Sequence, residues 1–167
     1  HAKATGNTAL LELAQRLHAL VAPFPITGRV VAEMNPLKQL LLPNNELLEN
    51  GDRLLYPLRT DQVRVVGAVE KNCILPYVPG MQPVEYLESC PRHVMSDPSN
   101  VYLVQPNGTV NLAPVAAWNL RPANVATGAI IYVPLRRKML SPEATGLNED
   151  MAALLATQYQ LGGRFDE

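Results

Sequence analysis

A chain of 167 residues with 47 % hydrophobic and 17 % charged residues has the make-up of a folded protein, with room for one medium domain or two small ones. Its formal net charge of −1 supplies no long-range field to draw it to nucleic acid or anionic lipid, and no run approaches the roughly 20 apolar residues that cross a bilayer. Fifteen prolines predict many short elements with firm ends.

His1 is not a native start, and the first residues carry no basic segment followed by an apolar run, so any leader has been removed or lies upstream. Leu10, Leu13, Leu17 and Leu20 recur at helical spacing and predict a helix over residues 8–22, capped by Asn7 or Thr8 and stopped by Pro23 and Pro25. Leu11, Ala14, His18 and Val21 form a second stripe that would bury the helix on two sides. His18 there reads as a packed or rim histidine, since no second metal ligand is near. Ile26-Thr27-Gly28-Arg29-Val30-Val31 reads as the start of a strand whose glycine permits a positive φ or a close backbone approach. Residues 34–43, interrupted by Pro36 and Pro43, read as irregular chain or short strand. Asn50-Gly51-Asp52 signals a turn before a strand over residues 53–58.

From Val63 the order is clearer. Residues 63–69 predict a strand, residues 70–73 a turn and residues 74–78 a return strand. Pro83 to Cys90 reads as a short helix with proline in its first turn and Pro91 beyond its end. Residues 100–104 and 109–112 predict a hairpin around Gln105-Pro106-Asn107-Gly108, with Asn-Gly supplying positive φ. Residues 114–119, with Trp118, lead to a last strand over residues 128–135. A strand pair, a helix over the sheet and then the remaining strands make one β-grasp-like unit. Leu48-x-x-Gly51 with Tyr56-Pro57-Leu58 is echoed by Val125-x-x-Gly128 with Tyr132-Val133-Pro134-Leu135, the proline falling six residues after the glycine each time. This reads as an internal repeat whose first copy is incomplete. In the tail, Arg136-Arg137-Lys138 is a basic run. Asn148 caps a helix over residues 148–160 with Glu149 and Asp150 in its first turn, and Met151, Ala152, Leu154 and Leu155 form its apolar face.

Several of these motifs, in this order, resemble the capsule-biosynthesis GfcC-type family. They are Ile26-Thr27-Gly28-Arg29; Val63-Arg64-Val65-Val66-Gly67-Ala68-Val69; Pro79-Gly80 with Val84-Glu85-Tyr86-Leu87; Pro106-Asn107-Gly108-Thr109 with the run from Ala113 to Asn119; and Leu147-Asn148-Glu149-Asp150. The resemblance runs from about Thr8 to Gln158. It implies a periplasmic protein of a Gram-negative bacterium, associated with group 4 capsule or related exopolysaccharide. The implied fold class is α+β: two β-grasp (ubiquitin-like, SLBB-like) units similar to those of Wza-type exporters, the first with a helical insertion, and a C-terminal amphipathic helix. The expected division is a partial first unit over 1–60 with helix 8–22, a complete second unit over 61–136 and a tail over 137–167. By the same resemblance the opening of the first unit and one arm of its helical hairpin are missing.

The family's Thr-Gly-Arg falls on Thr27, Gly28 and Arg29, and a guanidinium beside a glycine can reach an anionic or hydroxyl-rich ligand with several donors. The other reading is an arginine that buttresses a junction through backbone carbonyls. Trp118 suits stacking on a sugar ring, or is a core residue beside a strand; Tyr56 and Tyr132 read as structural. In a β-grasp unit the first hairpin's turn and the end of the following helix lie at one end. Cys73 and Cys90 are therefore expected to meet there and form a disulfide in an oxidising periplasm, worth about 3 kcal/mol. Two separate thiols are the alternative, and Cα atoms more than about 7 Å apart would require it.

The sequence holds no Gly-x-Ser-x-Gly elbow, His-Glu-x-x-His pair or P-loop, so no catalytic residue, metal site or cofactor is predicted. His93 beside Cys90 lacks further ligands, and Glu85 with Glu88 reads as a solvated helix face. The expected function is a non-enzymatic accessory role in capsule or exopolysaccharide assembly and export, by binding polysaccharide or docking on an outer-membrane export complex. The alternatives are a polysaccharide-modifying enzyme with a cleft at Arg29, and a structural adaptor that binds no sugar.

Overall fold

The computed structural model describes residues 6–25, 27–29, 35–40, 49–53 and 60–158. Helix α1 spans Thr8–Val21, and the Asn7 side chain accepts a hydrogen bond from the Leu10 N–H at 3.0 Å, satisfying a donor that a helix start leaves open. Leu10, Leu13 and Leu17 are buried, whereas Ala14 and His18 face solvent and Leu11 and Val21 are half-buried. The helix is therefore buried along one stripe, not two, because the alanine and histidine of the second stripe offer little apolar area. Arg16 bonds the carbonyls of Val69, at 2.9 Å, and Glu70, fixing the helix against the end of the first strand.

Where irregular chain or strand is expected after residue 34, Pro36–Gln39 form a single helical turn, α2. Pro36 stands in its first turn, where no N–H is needed, and Asn35 Oδ1 accepts from the Leu37 N–H at 3.0 Å. The turn at residues 50–52 is present, with Gly51 at φ 106° and the Asp52 N–H donating to the Glu49 carbonyl at 3.1 Å. The strand expected beyond Arg53, the flanks of Thr27-Gly28-Arg29, the repeat through Leu48 and Tyr56, and the last helix beyond Gln158 lie outside the described residues.

Five strands make one sheet in the order β2-β1-β5-β3-β4. They are β1 (Gln62–Gly67), β2 (Cys73–Pro76), β3 (Asn100–Val104), β4 (Val110–Pro114) and β5 (Ile130–Val133). Two antiparallel hairpins, β1–β2 and β3–β4, flank β5, which runs antiparallel to β3 and parallel to β1. Some boundaries differ from the sequence reading. Cys73 opens β2 rather than sitting in the turn, β4 runs on to Pro114, and of Asn107 and Gly108 only the glycine has positive φ, at 90°. Gly67 ends β1 at φ 108°, and a Cβ there would stand 2.4 Å from the Val133 carbonyl oxygen and 2.8 Å from the Tyr132 ring, so only glycine fits.

The register places Val66, Tyr132 and Tyr102 in one row and Val65, Ile131 and Leu103 in the next. Successive strand side chains point to opposite faces, so the two rows face opposite sides. Helix α3 (Pro83–Ser89) lies on the Val65 side, because Cys73, opposite Val65, is bonded to Cys90 at the helix end. Helix α4 (Leu147–Thr157) lies on the Tyr132 side, where Asn148 Oδ1 accepts from the Tyr132 hydroxyl at 3.4 Å and Glu149 from the Tyr102 hydroxyl at 3.0 Å. With both faces covered, every residue of β5 is buried, which explains why Ile130-Ile131-Tyr132-Val133 shows no alternation. Leu10, Leu13 and Leu17 of α1, the sheet, Tyr86 and Leu87 of α3, and Met151 and Leu155 of α4 share one buried cluster. The fold class is α+β.

The start of α4 corrects one reading. Gly146, not Asn148, occupies the cap position, and Asn148 is buried inside the first turn. Its amide pairs with the backbone of Leu135 just past β5: Oδ1 accepts from the N–H at 3.0 Å and Nδ2 donates to the carbonyl at 2.9 Å. One side chain thus stands in for a strand neighbour.

Cys73 and Cys90 form the expected disulfide, with Cα atoms 6.1 Å apart across a separation of 17 residues. Closing a loop of that size stabilises the fold by about 3 kcal/mol in the chain-entropy model. Replacing both cysteines with alanine should lower the free energy of urea unfolding by that amount, and reduced wild type should match the variant. An unchanged urea midpoint would show that the bond contributes nothing.

Candidate functional site

A helix end leaves its last carbonyls without intrahelical partners, and the negative end of the helix dipole favours a cation there. At the end of α4 those partners come from Thr27 and Arg29. The Thr27 hydroxyl donates to the Thr157 carbonyl at 2.7 Å, and Arg29 Nη1 donates to the carbonyls of Gln158, at 3.2 Å, and Ala156, at 3.4 Å. Arg29 Nη2 reaches the Pro106 carbonyl in the β3–β4 turn. Gly28, at φ 64°, lets the chain turn between the two donors, and nothing lies within 4 Å of a Cβ built on it. Thr27 Oγ1 also accepts from the Arg29 N–H at 3.2 Å, and Gln158 Nε2 donates back to the Pro25 carbonyl at 3.2 Å. Three chain segments therefore meet at Arg29. The narrow crevice beside it is lined, among the described residues, by Val104, Gln105, Pro106, Leu155 and Gln158, with Gly128, Ile130 and Ala156, none of which is a carboxylate.

Trp118 lies elsewhere. β3 and β4 pair from Val104–Val110 at the Pro106 end to Asn100–Pro114 at the other, and the turn that carries Trp118 is tied to Ser99 at that far end. Trp118 is 80 % exposed, which overturns the core reading. The hairpin separates it from the three residues at Arg29, so the sequence-predicted contacts form two places rather than one.

Among the described residues no group of three or more His, Cys, Asp or Glu side chains can hold a metal ion. His93 Nδ1 accepts from the Met95 N–H at 3.2 Å, and the Glu85 carboxylate accepts from the Gln82 N–H at 2.6 Å, closing the start of α3. Two residues that the sequence did not single out organise the surroundings. Gln105 brackets the β4–β5 loop, donating to the Asn124 carbonyl at 2.6 Å and accepting from the Ala126 N–H at 3.2 Å, and Gln158 closes the Arg29 junction. Their partners are backbone groups, which leave no mark in the sequence; only the position of Gln105 beside the Pro106-Asn107-Gly108 turn hinted at it.

On the α4 face, burial first and then the hydrogen bond and charge of Glu149 push the Tyr102 hydroxyl up to about 12. Burial, with the neighbouring Tyr102 and Glu149, pushes Tyr132 up as well. Tyr102 and Tyr132 are adjacent, their ring centroids 6.1 Å apart. Glu149 also bridges to Arg137 at 3.1 Å, an exposed ion pair of small energetic weight.

Residues 71–159, more than half of the chain, match the family described as Capsule biosynthesis GfcC C-terminal. The chain belongs to this family. The resemblance carried by the sequence motifs is thereby shown. The chain is also similar to the Escherichia coli (strain K12) protein named Uncharacterized protein YjbG, with 28 % identity over 148 residues, 88 % of this chain and 59 % of that protein. It thus spans less than two thirds of that relative's length. Membership of the family and the Cys73–Cys90 disulfide both fit an extracytoplasmic location. Among the described residues no helix is long and apolar enough to cross a membrane.

Arg29→Ala should destabilise the protein by about 2 kcal/mol, because it strands carbonyls at the end of α4. Arg29→Lys should recover only part, since an ammonium lacks the fork that spans α4 and Pro106. Urea unfolding with hydrogen exchange in the last turn of α4 measures both, and unchanged exchange there would sink the junction. The raised tyrosines make a second expectation. A group whose folded pKa lies above its unfolded value of about 10 contributes stability that is complete below pH ~10 and is lost as pH rises through ~12. The midpoint temperature should fall across that window, and less steeply in Tyr102→Phe than in wild type; parallel curves would refute it.

Proposed function

We propose that this protein is a periplasmic accessory component of capsule or exopolysaccharide assembly and export, acting by binding rather than by catalysis. Family membership over residues 71–159 is the observation that carries this reading. The fold supports it in finer detail. A sheet in the order β2-β1-β5-β3-β4, with parallel β1 and β5 and a helix after the first hairpin, is the arrangement expected of a β-grasp unit over residues 61–136. We read residues 1–60 as part of a preceding unit and residues 137–167 as a tail whose helix packs on the sheet. Its buried face is Asn148, Met151, Ala152 and Leu155.

Within this reading Trp118 is the contact open to a ligand, while Thr27, Gly28 and Arg29 set the junction beside which a ligand or an export-complex partner docks. A polysaccharide-modifying enzyme centred on Arg29 would need a carboxylate and an open cleft there, and among the described residues the crevice is narrow and its lining offers no carboxylate. Exposed Leu112, Trp118 and Leu120 favour docking on the polysaccharide or on a partner over a purely internal structural role.

The test is affinity capture from a capsule-producing strain with tagged wild type, Trp118→Ala and Arg29→Ala. Wild type should retain capsule polysaccharide or exporter components, and Trp118→Ala, folded as wild type is, should retain several-fold less. Wild type that retains neither refutes the accessory role.

A further inference from the structure

The connection from β4 to β5, residues 115–129, is a long irregular loop, and loops of that length in a packed protein are usually functional. Both of its ends are pinned. Val115 is buried and donates its N–H to the Ser99 carbonyl at 2.8 Å. Val125 is buried on the return, where the Ala123 N–H donates to Gln82 Oε1 at 2.8 Å and Gln105 holds Asn124 and Ala126. Between these anchors the tip stands in solvent: Ala117, Trp118, Leu120, Arg121 and Pro122 are all exposed.

The tip is also fixed in shape. Asn119 donates its N–H to the Ala116 carbonyl at 3.0 Å, its Oδ1 accepts from the Ala116 N–H at 3.1 Å, and its Nδ2 donates to the Ser99 carbonyl at 3.3 Å. The amide of Asn119 is therefore spent on the backbone, and the turn presents the neighbouring indole from a rigid base. A ligand that meets a fixed ring loses less conformational freedom on binding. Tyr86 and Tyr132, by contrast, are wholly buried.

We propose that residues 117–122 form a saccharide site in which Trp118 stacks on the apolar face of a pyranose and Arg121 pairs with an acidic substituent, so that the ligand is an acidic glycan. The assignment rests on the accessory role in capsule export set out above. An indole is amphipathic and matches one sugar ring in area, whereas a protein partner needs about 800 Å² on each side. Of the other exposed apolar side chains, Leu120 lies in the same loop and Val110 and Leu112 on the β4 strand before it, whereas Ile74 belongs to β2 at the opposite edge of the sheet and Leu37 and Leu40 to α2 and its end. Residues 115–129 contain Arg121 and no acidic residue, so the charge on the loop complements an anionic sugar.

Trp118 is the chain's single tryptophan, so its emission reports on this loop alone. Purified protein would be titrated with oligogalacturonate and with a neutral cello-oligosaccharide of equal length, reading tryptophan emission and calorimetry together. The acidic oligosaccharide should shift the emission to the blue and shield the ring from iodide. Arg121→Gln should weaken that ligand about tenfold and leave the neutral one unchanged. Trp118→Ala should abolish calorimetric binding of both while keeping the wild-type melting temperature. Unchanged emission with both oligosaccharides overturns the site. If calorimetry still detects binding then, the accessory role stands with its glycan held elsewhere. Equal response to both sugars, unaffected by Arg121→Gln, overturns the preference for acidic glycans.

Discussion

Val66 and Tyr132 sit opposite one another in the parallel pairing of β1 with β5, and a parallel pair cannot be closed by a tight turn. All of residues 68–129 must therefore serve as the connection between those two strands, and the hairpin β3–β4 and helix α3 are carried within it. A central strand with neighbours on both sides also has two faces to hide from water. Helix α3 supplies one cover and α4 the other, which makes the tail as necessary to the core as the strands are. At the crowded end of the parallel pair the backbones come so close that Gly67 has no room for a side chain.

Covering a sheet with short elements leaves many backbone groups without regular partners, and here long-range side chains complete them. Asn148 serves Leu135, Arg16 serves Val69 and Glu70, and Arg29 with Thr27 serves the end of α4. Among the described residues no buried side-chain nitrogen or oxygen lacks a partner. Thr27 and Arg29, with Gln158 donating back to Pro25, tie residues 25–29 to the end of α4 through one hydroxyl, one guanidinium and one amide. An unmet buried carbonyl is costly, so the junction is demanding about residue type: planar, multiply donating arginine suits it and lysine does not.

Local signals survived the comparison of sequence with structure best. The Asn7 cap, the leucine stripe of α1, Pro83 at the start of α3 and the hairpin around Gly108 depend on neighbours within a few positions, and all are where the residues put them. The pairing of Cys73 with Cys90 was legible because it follows from the order of the elements. What failed depended on distant partners. Asn148 looks like a cap in sequence, since nothing local announces that Leu135 will need its amide. Pro36 looked like a breaker and is the first residue of a helical turn. Trp118 looked like core because most lone tryptophans beside strands are, and its exposure comes from the length of the loop that holds it.

Both edges of the sheet end alike. β2 closes at Pro76 and β4 at Pro114, and a proline nitrogen has no hydrogen to offer a visiting strand. With edges only four and five residues long, an added strand would find few donors before the ladder ran out. Among the described residues these two edges therefore offer a poor template for pairing with another copy of the chain. They are equally poor acceptors for an extended peptide added as a further strand.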